Sequence, residues 1–242
     1  MQRVNDVIVL DLEASMNGNH AVYRPVAVVM PDGTLTLIDT GLPGMADAID
    51  TQLREAGFSL GDVTQIIVTH HDLDHIGSLE DIVGRTGAAV LTLETEAPYI
   101  TGEKRSQKMP SEEDVQRLLA DPELPPARRA SLTRPPVRVP VTRTLHDGEE
   151  LPGGLRIVAT PGHTVGHSSV YVTGSHTLIT GDALTAEDGK LKGPNEQFTP
   201  DIKTALESVK KLGGLEGVQT IVAFHGGLVT ANAGEQLRGL SG

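Results

Sequence analysis

Along this chain, short runs of Val, Ile and Leu alternate with stretches in which apolar residues recur every three or four positions. These are the signatures of buried strands and of amphipathic helices. Residues 21 to 30 and 34 to 38 read as two strands of a hairpin around the turn Pro31-Asp32-Gly33. Met45, Ile49, Leu53 and Ala56 share one helical face, and Gly57 is placed to stop that helix. A buried-type strand follows at 63 to 69, then a helix from about Ile76 to Arg85 closed by Gly87, then a strand at 88 to 93.

From Pro98 to Pro140 the pattern changes to frequent prolines and one amphipathic piece around 111 to 120, without strand signal. This stretch reads as a helical and loop insertion at about 98–140. Strands resume at 155 to 160, 169 to 173 and 177 to 180. A helix at 201 to 212 follows, with Asp201 positioned as its N-cap. A last strand at 218 to 224 and a helix at 233 to 240 complete the pattern. Alternating strands and helices make the class α/β, and residues 1–242 are expected to form a single domain around that insertion.

Composition narrows the chemistry. There is no cysteine, which excludes disulfides, thiolate zinc sites and cysteine nucleophiles. With three tyrosines, three phenylalanines and no tryptophan, a substrate pocket is expected to be aliphatic or polar. A formal net charge of -12 disfavours a nucleic-acid partner, because phosphate backbones are bound by clustered Lys and Arg. The opening residues hold only a short apolar run broken by Asp6 and Asp11, so neither a membrane partner nor a signal-peptide core is expected, and the location reads as cytoplasmic.

The sharpest feature is Thr69-His70-His71-Asp72-Leu73-Asp74-His75-Ile76-Gly77, directly after a strand. An irregular turn there can fold His70, Asp72, Asp74 and His75 toward one point, and four hard or borderline ligands within six residues suit a divalent cation. His163 and His167 follow another strand within Pro161-Gly162-His163-Thr164-Val165-Gly166-His167. Asp182 follows a third strand after Gly181, and His225 a fourth, before Gly226 and Gly227. Four strand exits that each deliver His or Asp imply convergence on one edge of the fold.

In order and type, Asp39-Thr40-Gly41, the HxDxDH block at 70–75, the PGHTxGH block at 161–167, Gly181-Asp182 and His225 resemble the metallo-β-lactamase superfamily, over about residues 22 to 225. That resemblance implies a four-layer αβ/βα sandwich of two mixed sheets with helices outside. It assigns His70, Asp72 and His163 to one metal ion and Asp74, His75 and His225 to a second, with Asp182 bridging them. Asp39 is implied to steady the ligand loop. His167 is expected to orient His163 or a loop carbonyl from behind. Asp72 stands where the common motif has histidine, which leaves zinc, manganese and iron open.

The expected activity is a metal-dependent hydrolase, in which two divalent ions share a bridging hydroxide and polarise a small ester-like substrate, a lactone or a thioester ahead of a β-lactam. Asp74 is the expected catalytic proton carrier. Tyr99 is a candidate hydrogen-bond donor to a small-molecule substrate, or equally a packed residue. His71, between ligand positions, is expected to be packed or exposed and its replacement nearly silent, and His20, His146 and His176 read as surface residues. A di-iron oxidoreductase akin to the flavodiiron proteins and a phosphodiesterase or nuclease are the alternatives.

Overall fold

Period-two burial sets the architecture of the computed structural model, which describes residues 1–16 and 19–241. In the strand Val26–Val29, Val26 and Val28 join one apolar cluster while Ala27 and Val29 join another. Leu35 and Leu37 of Leu35–Ile38 likewise turn opposite to Ile38. A strand buried on both faces needs a layer on each side, and two such sheets stacked face to face give four layers.

The first sheet has seven strands in the order Gln2–Val4, Val7–Val9, Val26–Val29, Leu35–Ile38, Val63–Ile67, Ala89–Leu93 and Arg143–Leu145. Its early strands pair antiparallel, and from Leu35–Ile38 onward the pairing is parallel. The second sheet has six, in the order Glu150–Leu151, Leu155–Ala159, Ser168–Val172, Thr177–Ile179, Thr220–Ala223 and Gly227–Val229. There only Thr177–Ile179 and Thr220–Ala223 run parallel.

Val7, Val28, Ile67 and Leu91 of the first sheet meet Leu155, Ile157, Val170 and Val222 of the second in one buried cluster, the centre of the sandwich. Helices Ala46–Glu55 and Leu79–Thr86 cover the outside of the first sheet through Ile49, Leu53, Leu79 and Ile82. Helices Ile202–Gly213 and Ala233–Ser241 cover the second through Val209, Leu212 and Leu237. Asp201 caps the former, its side chain accepting from Thr204 N at 3.0 Å.

Two readings of the pattern are corrected. The run from 21 to 30 is broken at Arg24-Pro25: Asn19–Tyr23 pairs with Leu12–Met16 in a separate two-stranded sheet, and only Val26–Val29 joins the hairpin. Proline lacks the N–H that a continuing ladder needs. The helix placed at 76 to 85 is two: Leu73–Ile76 and Leu79–Thr86. The second ends, as expected, at Gly87 in the left-handed region. The stretch from 98 to 140 holds the short helices Ala97–Ile100, Glu112–Leu119 and Pro126–Thr133 and no strand among the described residues. No helix among them is long and apolar enough to cross a membrane.

Candidate metal centre

Asp39 and Thr40, at the exit of Leu35–Ile38, fasten the loop from Thr69 to His75 at both ends. Asp39 Oδ1 accepts from Thr69 N at 2.8 Å, and its Oδ2 accepts from Thr69 Oγ1 and His75 Nδ1, each at 2.7 Å. Thr40 gives both its N–H and its hydroxyl to His75 O at 2.8 Å. These bonds fix the imidazole tautomers. Thr69 Oγ1, its proton spent on Asp39, accepts from His70 Nδ1 at 3.0 Å. The Nε2 atom of His70 therefore points inward, and so does that of His75.

The second sheet supplies the facing wall. His163 and His167 follow Leu155–Ala159, Asp182 follows Thr177–Ile179, and His225 follows Thr220–Ala223. Gly181, before Asp182, has φ of 51°, and a Cβ there would stand 2.8 Å from His167 Nε2. That nitrogen accepts the backbone N–H of Asp182 at 3.0 Å while His167 Nδ1 bonds Thr160 Oγ1 at 2.8 Å. Both ring nitrogens are used, so His167 has no lone pair for an ion. It holds the backbone N–H of Asp182, where the sequence reading offered His163 or a loop carbonyl. Gly226 holds the turn after His225, where a Cβ would lie 1.8 Å from Ala186 O.

Two groups of ligand atoms result, His70 with His163 and Asp182, and Asp74 with His75 and His225, each drawn within 4.8 Å. Asp182 reaches both: Oδ2 is 3.2 Å from His163 Nε2 and 3.5 Å from His225 Nε2, and Oδ1 is 3.3 Å from His75 Nε2. Asp74 Oδ2 lies 3.1 Å from His225 Nε2. Asp72 Oδ2 lies 3.0 Å from His163 Nε2 and 3.4 Å from His70 Nε2. Ligand atoms about 2.1 Å from a tetrahedral ion stand about 3.4 Å apart, so these spacings fit. Three buried atoms facing this space, His70 Nε2, His75 Nε2 and Asp182 Oδ1, have no hydrogen-bond partner. Orphaned polar atoms are costly, and cations would satisfy all three.

The charges point the same way. Burial pushes the His75 imidazole down, but Asp39, Asp182 and Asp74 outweigh it and hold it well above its ordinary value. His225, also opposed by burial, is pushed up to about 9 by Asp182 and Asp74. Burial and its histidine neighbours hold His70 well below the usual range, and burial takes His167 down to about 3. Burial works against ionised Asp182, yet His75 and His225 keep it well below the carboxylate range. Three converging carboxylates make this a basin for positive charge.

His71 is buried, and its ring lies on Tyr99 with centroids 4.6 Å apart. Its Nδ1 bonds the buried Glu96, while its Nε2 accepts from Gln107 N at 3.3 Å. His71 is thus packed, one of the two roles expected of it, and its bonds to Glu96 and Gln107 tie the ligand loop to its neighbours. Half-buried Tyr99 packs on that imidazole, whereas His20, His146 and His176 are exposed. The sequence reading missed Glu96 and Lys108. Glu96 follows the strand Ala89–Leu93, a strand-exit acid of the kind that marked Asp182. Lys108, whose ammonium bonds Asp72 Oδ2 and His163 Nε2, lies in a turn with no periodic signal.

Two sheets thus converge on a shared cluster of imidazoles and carboxylates suited to divalent cations. A profile of the metallo-beta-lactamase superfamily matches residues 22–218. The probable metallo-hydrolase YflN of Bacillus subtilis (strain 168) is 33% identical over 208 residues, which cover 80% of this chain and 75% of that protein. A hydroxyacylglutathione hydrolase of Brucella anthropi is 26% identical over 183 residues, 74% of this chain but only 53% of that enzyme. The metallo-beta-lactamase family protein TTHA1429 from Thermus thermophilus superposes with a TM-score of 0.71 at 26% identity, covering 98% of this chain and 78% of that one. The chain belongs to the metallo-beta-lactamase superfamily and is a metallo-hydrolase of its fold.

Proposed function

We propose that this chain hydrolyses a small thioester or lactone at a dinuclear site, with His70, Asp72 and His163 around one divalent ion, Asp74, His75 and His225 around the other, and Asp182 between them. The observation that carries the reading is the position of Asp182, whose two oxygens reach histidines of both groups while one of them lacks any partner. When bound, two such ions activate a water molecule and polarise the scissile carbonyl.

The protein's own residues supply the rest. Asp74 is partly open to solvent beside His225, where its carboxylate can orient the attacking water, take its proton and pass it to the leaving group. A cleft beside His163, lined by Gln107, Val165, Pro200 and Thr204, offers apolar and hydrogen-bonding surface to a small substrate. Gln107 belongs to the segment at 98–140, which we take as an insertion into one domain that walls this cleft. The formal charge of -12 argues against polyanionic substrates. The thioester ranks first because one relative's name denotes cleavage of a hydroxyacyl thioester.

The test is a panel of a glutathione thioester, a lactone, a phosphodiester and a β-lactam, with chain purified without chelator. Turnover of the thioester or lactone, abolished by chelation and restored by zinc, manganese or iron, is expected. Turnover of the phosphodiester alone would refute the reading.

A further inference from the structure

Lys108 lies where the first ion would bind. It sits in a turn closed by Met109 N donating to Ser106 O at 3.1 Å. The neighbouring Gln107 ties that turn to both halves of the site: its N–H donates to His71 Nε2 at 3.3 Å, and its Oε1 accepts from Val165 N at 3.0 Å. The side chain is thereby delivered between the loop that carries Asp72 and the loop that carries His163. Its ammonium donates to Asp72 Oδ2 and, at 2.6 Å, to His163 Nε2.

We propose that Lys108 is an internal cation that occupies the first metal position, so that the two positions fill in a fixed order. This rests on the dinuclear reading above. His163 Nε2 has a single lone pair, and an ammonium proton and a metal ion cannot both use it. Two cations within bonding distance of the same carboxylate oxygen also repel each other. Asp74 and Asp182, by contrast, make ion pairs only with histidines among the described residues. An ion therefore enters at Asp74, His75 and His225 without displacing a lysine. Entry at His70 and His163 requires Lys108 to withdraw, which its partly exposed side chain permits. At limiting metal the resting state holds one ion and one ammonium.

The experiment is calorimetric titration of the metal-stripped full chain with manganese alone, for the wild type, Lys108→Met and Lys108→Arg. Methionine keeps an unbranched stem without the charge, whereas arginine keeps the charge. Two binding steps are expected in the wild type, the weaker at least tenfold below the tighter. Lys108→Met should tighten only the weaker step, by at least tenfold, and Lys108→Arg should leave the steps separated. Identical pairs of constants in all three proteins would overturn the role of Lys108 and leave the dinuclear reading standing. Loss of the weaker step in Lys108→Met would overturn it too, since Lys108 would then support the site. Uptake of no more than one ion by any of the three would overturn both.

Discussion

Glu96 joins two loops of the metal centre through four donors, and replacing it tests whether that junction is what holds them. Its Oε1 accepts from His71 N at 2.8 Å and from His71 Nδ1; its Oε2 accepts from Gly166 N at 2.9 Å and Thr164 Oγ1 at 3.1 Å. Glutamine has the same shape but one oxygen, so its NH2 group must face one pair of donors. If it faces Thr164, that hydroxyl can turn and accept, and only the Gly166 N–H is stranded. If it faces His71, a backbone N–H is lost and the imidazole must change tautomer, which also costs the bond from Gln107. Glu96→Gln should settle in the first arrangement and cost about 1–3 kcal/mol, the penalty of one buried unpaired donor. Glu96→Ala strands all four donors beside a cavity and should cost about 3–5 kcal/mol. Urea denaturation of the metal-stripped chain reads the difference as a lower midpoint at unchanged slope. In a chain of this length each kcal/mol corresponds to roughly 2–4 °C in Tm. A Glu96→Gln protein within about 0.5 kcal/mol of wild type, or an alanine variant no worse than the glutamine one, would refute the reasoning.

Other outcomes follow from the same geometry. Asp74→Asn should lower turnover by about two orders of magnitude or more with the fold intact, because it removes the proton carrier and a ligand charge. An unaltered kcat in a folded variant would remove Asp74 from the mechanism. Asp72→His should shift the metal bound from an equimolar manganese and zinc mixture toward zinc, since imidazole is the softer ligand, and elemental analysis checks it. Because Asp182 and Asp74 push the His225 imidazole up to about 9 and, with Asp39, hold His75 well above its ordinary value, an ion binding at lower pH must displace a proton from each. Affinity for the second ion should therefore rise by at least about tenfold per pH unit between pH 7 and 9, as followed by manganese titration. A flat profile over that range would refute the assignment of His225.

The strand-exit histidines and aspartates were legible because each follows an apolar run whose identity is unmistakable, and the sandwich followed from motifs in a recognisable order. Helix ends were legible where chemistry marks them, as at Asp201 and Gly87. The break at Arg24-Pro25 was also written in the sequence, and reading residues 21 to 30 as one strand overlooked it. The first two strands, Gln2–Val4 and Val7–Val9, are three residues each, too short for a period to register. His167 could not be placed beforehand, because an imidazole that holds an ion and one that holds a backbone N–H share the same sequence context. Lys108 and Glu96 reach the centre from 36 and 25 residues beyond the ligand-loop residues they bond, through contacts that local patterning does not encode.

The candidate ligands come from two walls: His70, Asp72, Asp74 and His75 from the first sheet, and His163, Asp182 and His225 from the second. A cation held between them, as proposed above, would act as a removable cross-link that closes a loop running from His70 to His225. Such closure narrows the unfolded ensemble as a long-loop staple does, and it lasts only while the ion is bound. On the proposed dinuclear reading, the rigidity of this edge would thus follow the metal supply, in a chain that has no cysteine with which to make a permanent cross-link.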